Sequence, residues 1–172
     1  MKHSKKITIL TMLLFCTAPF LFATGAGIQL GANPGLLINQ DSVKLEKFDV
    51  TVTGTLRFSR IPAALGFGLE TDFSSSDFSY GFSGFADYYA LDIQLKNTWN
   101  LLSGFGLSGS LLTSDFNDFD AAVGARFFIG MNWLFWDNYL EYYVQQNIVP
   151  TITSKKNFLI CLPFETGIRM HF

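Results

Sequence analysis

The chain of 172 residues is 49% apolar and 16% aromatic but only 15% charged, with nineteen Phe, fifteen Gly and a formal charge of −2. Globular chains average roughly 25% charged residues; here a mean hydropathy of +0.27 excludes disorder, because apolar surface is available for burial in abundance. Helical membrane spans are excluded too: each needs ~20 consecutive apolar residues, and no such run follows the first 26 residues.

Those first residues read as a cleaved signal peptide over 1–26. Lys2, Lys5 and Lys6 precede the apolar run from Ile7 to Phe22, and Ala23-Thr24-Gly25-Ala26 supplies small residues for cleavage after Gly25 or Ala26. Bulky Phe15 before Cys16, and the apolar run beyond it, disfavour a lipoprotein signal. Export by the Sec pathway leaves one domain, 27–172. It keeps nine basic residues against fourteen acids, a charge of −5. No basic stripe remains to neutralise phosphates, so nucleic acid is not an expected partner. Cys161 is left alone and cannot close an intrachain disulfide.

The mature chain alternates with period two. Phe48, Val50, Val52, Leu56 and Phe58 oppose Asp49, Thr51, Thr53, Thr55 and Arg57. Leu65, Phe67 and Leu69 oppose Gly66, Gly68, Glu70 and Asp72, and Val123, Phe127, Ile129 and Trp133 oppose Gly124, Arg126, Gly130 and Asn132. This is a strand signal with no competing 3.6-residue period. In chain order the turn residues bound strands near 27–38, 44–58, 63–73, 80–95, 104–113, 120–134, 139–149 and 158–172, eight in all. The fold class is all-β.

The less apolar parity chooses the architecture. Asp49, Arg57, Glu70, Asp72, Asp92, Gln94, Arg126, Asn132, Glu141, Gln145, Glu165 and Arg169 sit there among Gly, Ser and Thr, while Lys is missing from the middle of every strand. A water-facing surface would be rich in Lys and Glu, whereas a crowded lumen suits this set and lipid suits the apolar parity. The expectation is an eight-stranded antiparallel up-and-down transmembrane β-barrel, which also closes its own hydrogen bonds. Trp99, Trp133 and Trp136 lie in or beside alternate connections, as interface aromatics at one rim. Asp41, Asp77, Asp115 and Asp118 fall together at the opposite, extracellular end. Pro34 and Pro163 should not lie in mid-strand, because a closed ladder has no free edge for them. Pro34-Gly35 marks a bulge or an early strand end, and Pro163 makes Phe164 to Phe172 the last regular strand.

The carboxyl terminus, Glu165-Thr166-Gly167-Ile168-Arg169-Met170-His171-Phe172, resembles the assembly signal of bacterial outer-membrane barrels. With the signal peptide and strand spacing, the chain resembles the small barrels of the OmpA transmembrane, OmpX and OmpW types. That resemblance implies residence in the outer membrane of a diderm bacterium, in contact with its lipid. It also implies recognition by the barrel-assembly machinery through Glu165, Gly167, Ile168, Met170 and Phe172.

Little chemistry is encoded. His171 is the only mature histidine and lies at the terminal end, so no catalytic base is available and no enzyme is expected. Asp115, Asp118 and Asp120 lack the Gly and bidentate Glu of a calcium loop, and Cys161 alone makes no zinc site, so no metal or cofactor is expected. The informative set is the lumen polar network of Arg57, Glu70, Asp72, Arg126, Glu141, Glu165 and Arg169, in which the arginines pair with some of the carboxylates. A structural or surface-interaction barrel with a closed lumen is the leading reading, its surface partner unnamed. A narrow channel for small or hydrophobic solutes comes second, and a lipid-acting barrel enzyme is remote.

Overall fold

The computed structural model describes residues 24–39, 42–58, 60–73, 79–114, 119–154 and 158–172. Most of the signal segment, and Asp41, Asp77, Asp115 and Asp118, lie outside the described residues. The alternating segments form β1 (Gly25–Asn39), β2 (Ser42–Phe58), β3 (Ala63–Asp72), β4 (Ser79–Lys96), β5 (Trp99–Thr113), β6 (Phe119–Phe135), β7 (Leu140–Thr153), β8 (Phe158–Cys161) and β9 (Phe164–His171). Neighbours in sequence pair antiparallel from β1 to β8. β8 and β9 are two pieces of one interrupted strand, both lying between β7 and β1. Because β1 also pairs with β2, the sheet closes into an up-and-down ring of eight.

The stagger of the ring follows from its register. From Lys96, successive partners Trp99, Trp133, Tyr142, Ile168, Ile28, Gly54 and Phe67 lead back to β4 at Gly84. That is twelve residues up the strand, or ten once the bulged residues Ala90 and Leu95 are set aside. Such a shear tilts the strands and leaves a bore only wide enough for side chains.

Parity decides the two faces as the alternation predicts. Val52, Phe67, Leu69, Leu107, Val123, Phe127, Ile129 and Ile168 point outward, 49–67% exposed. Thr51, Thr53, Thr55, Glu70, Arg126, Asn132, Gln145 and Glu165 point inward, none more than 5% exposed. At the rim where β1 begins and β9 ends, Trp99 and Trp133 are cross-strand partners whose rings meet edge-on at 5.0 Å, and Tyr142 follows at 5.4 Å. Trp136 stands in the β6–β7 turn, 74% exposed. With Asp137 and Asn138 it takes positive φ, a conformation that Asp and Asn adopt more readily than Trp.

The prolines fall largely where expected, with a bulge beside Pro34 and a last strand that starts after Pro163, although β1 runs on through Pro34. Pro34 lies inside β1, with a register shift just after it between Gly35 and Leu36. Its missing donor is harmless because the facing strand is itself broken there. β8 stops at Cys161, β9 starts at Phe164, and the Leu162 N–H donates instead to the Pro34 carbonyl at 2.9 Å. Pro163 falls in that break, as its chemistry demands. β7 runs through Pro150 to Thr153 instead of ending at 149, and the β6–β7 ladder skips the pairs beside it. Pro34 and Pro163 thus share one interruption, Pro150 pairs with Ile160 of β8 close by, and Pro62 lies in the β2–β3 turn. β5 also starts earlier, at Trp99, because Asn100 and Ser103 bond to Asp92 and the Phe128 carbonyl and so join the ladder as polar strand residues.

Charge placed on the outer face tests this assignment. Ile129→Arg should destabilise the folded barrel in lipid by ~2–4 kcal/mol, while the inward Thr53→Ser should cost far less. Denaturant unfolding in lipid vesicles measures both, and a tolerated charge at position 129 together with a large loss at position 53 would reverse the faces.

Candidate functional site in the barrel lumen

The lumen holds two stacks of a glycine on one strand, an aromatic ring laid over it from the next and an arginine on the ring, with a third ring-covered glycine and a third arginine on a ring of its own. Tyr143 pairs with Gly167, and a Cβ at Gly167 would come within 2.6 Å of its ring and hydroxyl. Phe128 covers Gly104 in the same way, and Phe85 covers Gly66. The Arg169 guanidinium lies 3.8 Å from the Tyr143 centroid, Arg126 4.5 Å from Phe85, and Arg57 3.5 Å from Tyr89. A cation on a ring face gains more when water is excluded, and here the rings also fill the bore.

Arg126 is the hub. Its Nε and Nη2 donate to Asp87 Oδ1 and Oδ2 at 2.9 and 3.1 Å, a bidentate fork to β4. On the opposite side Nη1 and Nη2 donate to Glu165 of β9 at 3.1 and 2.9 Å, and Nη2 reaches Asn147 Oδ1 at 3.2 Å. Gln145 Nε2 donates to Glu165 at 2.6 Å. Neither β4 nor β9 is a ladder neighbour of β6, so these bonds cross the bore rather than run along the wall.

Toward the Trp rim, Arg169 donates to Thr55 Oγ1 at 3.2 Å and faces Glu141 at 3.4 Å. Glu141 also accepts from Asn132 at 2.6 Å and meets His171 Nε2 at 3.0 Å. The Tyr143 hydroxyl donates to Gln29 at 2.8 Å. Lower still, Arg57 pairs with Asp92 at 2.9 Å. Toward the other end, Lys47 joins Asp49 at 2.6 Å and Glu70 at 2.8 Å. A cavity of about 90 Å³ lies at this end, and an open vestibule of about 510 Å³ lies at the Trp rim. Cys161, half-buried, lines the first, and His171 lines the second.

Of the network expected from sequence, Arg126–Glu165 and Arg169–Glu141 are direct pairs. Arg57 and Glu70 are paired as well, but with Asp92 and Lys47. Asp72 ends β3 opposite Asp49, at the far end of the barrel from Arg57. Lys47 corrects the expectation that strand interiors lack lysine. Asp87 is the main omission. It lies between Phe85 and Tyr89 on a parity that reads as apolar, and only the discovery that these rings face inward reveals it. The bulge at Ala90 then switches parity, which brings Asp92 to the same side as Asp87. Asp120 accepts from Ser154 at 2.7 Å, and no metal-ligating cluster occurs among the described residues. In the terminal segment Ile168, Met170 and Phe172 are 50%, 51% and 75% exposed, whereas Glu165 and Gly167 are buried.

Two variants probe this construction. Arg126→Met should cost about 3–5 kcal/mol by leaving Asp87 and Glu165 uncompensated, and adding Asp87→Asn and Glu165→Gln should recover much of that loss in the same unfolding assay. Gly167→Ala should cost ~1–3 kcal/mol by overpacking, even when the chain refolds without cellular machinery. Shortening the ring that it strikes, by Tyr143→Ser, should reduce that increment.

No protein-family profile matches the chain, and no curated protein matches it. Solved structures do. Neisserial surface protein A is similar over 86% of this chain and 97% of its own, with a TM-score of 0.60 at 12% identity. The N-terminal β-barrel domain of Pseudomonas aeruginosa OprF scores 0.49 at 9% identity, over 86% and 98% of the two chains. Ail of Yersinia pestis scores 0.46 at 11%, over 86% and 98%. At such identities the likeness concerns architecture, and the architecture of this chain is that of a small eight-stranded outer-membrane β-barrel.

Proposed function

We propose that the chain is an integral outer-membrane protein of a diderm bacterium, exported after removal of its signal peptide, with both termini and the Trp rim facing the periplasm. In this reading its lumen is closed, its role is structural or surface-interacting, and it is not an enzyme. The observation that carries the proposal is the pairing of a continuous exposed apolar belt with a bore crossed by Arg126 and its two carboxylates. Lipid contact turns the belt from a liability into a stabilising surface, and the closed ladder leaves few backbone groups to be solvated inside the bilayer.

The terminal strand supports a role in assembly. Ile168, Met170 and Phe172 form an apolar stripe on the outside, where the insertion machinery can read it. Gly167 is required inside by Tyr143. One segment therefore carries a recognition face and a packing face. Among the described residues the one histidine, His171, is held by Glu141 at the rim at 3.0 Å, which favours the non-enzymatic reading.

Closure of the lumen is supported by the layers between the two cavities. Arg126, Arg169, Tyr143 and Phe128 occupy the cross-section, and all are at most 4% exposed. Fractionation should place the processed chain in the outer membrane with heat-modifiable migration on gels. In planar bilayers the refolded protein should not conduct. A soluble periplasmic location would sink the proposal, and a steady conductance abolished by a bulkier lumen would favour the narrow-channel reading instead.

A further inference from the structure

The ring is not closed at every level. β3 begins at Ala63, opposite Tyr88, and the Tyr89 N–H is taken by the Pro62 carbonyl. Below that point β4 continues to Lys96 with β5 on one side. Among the described residues, no strand pairs with its other side. The residues from Ala90 to Lys96 are all exposed, and the bulges at Ala90 and Leu95 leave Leu91 to Gln94 as a regular stretch of unpaired edge. The step arises because the β4–β5 hairpin runs on past the β2–β3 turn, with Tyr89 to Lys96 beyond the last β3 partner. An edge of this kind presents backbone donors and acceptors at strand spacing, a template for an added strand.

The inner side of the same edge borders the open vestibule, which Asp92 lines together with Arg57, Asn100 and Asn132. Three buried polar atoms there, Arg57 Nη1, Asn100 Oδ1 and Asn132 Oδ1, have no hydrogen-bond partner among the described residues. Asn132 is only 3% exposed. One donor and two acceptors are therefore left over beside an unpaired strand.

We propose that this seam binds an extended polypeptide segment of a periplasmic partner, which adds as a strand to Leu91–Gln94 and turns one carboxamide side chain into the vestibule. An added strand directs alternate side chains to opposite faces, so one set follows Asp92 and Gln94 inward while the other lies beside Leu91 and Ile93. A carboxamide carries the complementary groups, an oxygen for Arg57 and two N–H groups for Asn100 and Asn132, which it reaches once those side chains turn toward the vestibule. Main-chain bonds supply the affinity in strand addition and side-chain pockets the specificity. The shortness of the edge makes the partner a transient one. Its location on the periplasmic side rests on the orientation proposed above.

The test uses the protein purified from membranes and placed in lipid nanodiscs, with a short peptide of alternating threonine and valine carrying one central asparagine. Hydrogen exchange at the amides of Leu91–Gln94 that point away from β5 should slow about tenfold at saturating peptide, with no change at β7. An N-methylated version of the peptide should give no protection. Replacing its asparagine by alanine, or introducing Asn100→Ala, should weaken binding about threefold to tenfold, the value of one hydrogen bond. The inference is overturned by an absence of peptide-dependent protection, by equal protection from the N-methylated peptide, or by edge amides already protected in its absence through lipid or a second copy. Heat-modifiable migration of the same sample reports the barrel independently, so loss of the fold and loss of the docking site are distinguishable.

Discussion

Everything in this molecule follows from closing a tilted sheet on itself with its apolar side outward. The closure satisfies backbone groups around most of the wall, but it sends every second side chain into a bore about eight strands in circumference, with little room for bulk water. A charge there costs several kcal/mol unless it is paired. The lumen is therefore organised by the need to satisfy Arg126, Arg169, Arg57 and Lys47, Arg126 from across the ring and Lys47 from its own strand and the next. The wall and the plug are one energetic unit: Arg126 ties β6 to β4 and β9, strands that the ladder does not bring to it.

Glycine and aromatic residues solve the packing half of the same problem. Large rings pointing into a narrow bore would collide with the neighbouring strand unless that strand is bare, and Gly66, Gly104 and Gly167 supply the bare positions under Phe85, Phe128 and Tyr143. The rings in turn offer their faces to Arg126 and Arg169. This explains why an apolar, glycine-rich chain with few charges can still fill a polar interior. Each arginine needs an aromatic platform as well as a carboxylate.

The irregularities of the ladder are concentrated where they do least harm. Pro34 and Pro163 meet at the break between β8 and β9, and Pro150 lies where the β6–β7 ladder skips, so that residues lacking an N–H face interrupted backbone. The bulges at Ala90 and Leu95 lie beyond the last β3 partner, on the hairpin that descends past the seam. The first group removes donors where none can be used. The second shapes an edge left where the β4–β5 hairpin outruns β3.

The sequence by itself determined the strand period, the number of strands around the ring, the outward parity and the Trp rim, because period-two alternation and turn residues are local signals that each segment carries alone. It also marked Glu165, Arg126, Arg169 and Glu141 as inward charges. Their partners were decided only by tertiary structure. Asp87 hides among inward-facing rings, Asp92 joins it only through a bulge, and Lys47 sits on a strand whose pattern suggested no lysine inside. The meeting of the prolines, the stagger of the ring and the unpaired seam at Leu91–Gln94 are equally invisible in the linear chain. All depend on which residues of distant strands come level when the sheet closes, and that register is a property of the ring as a whole.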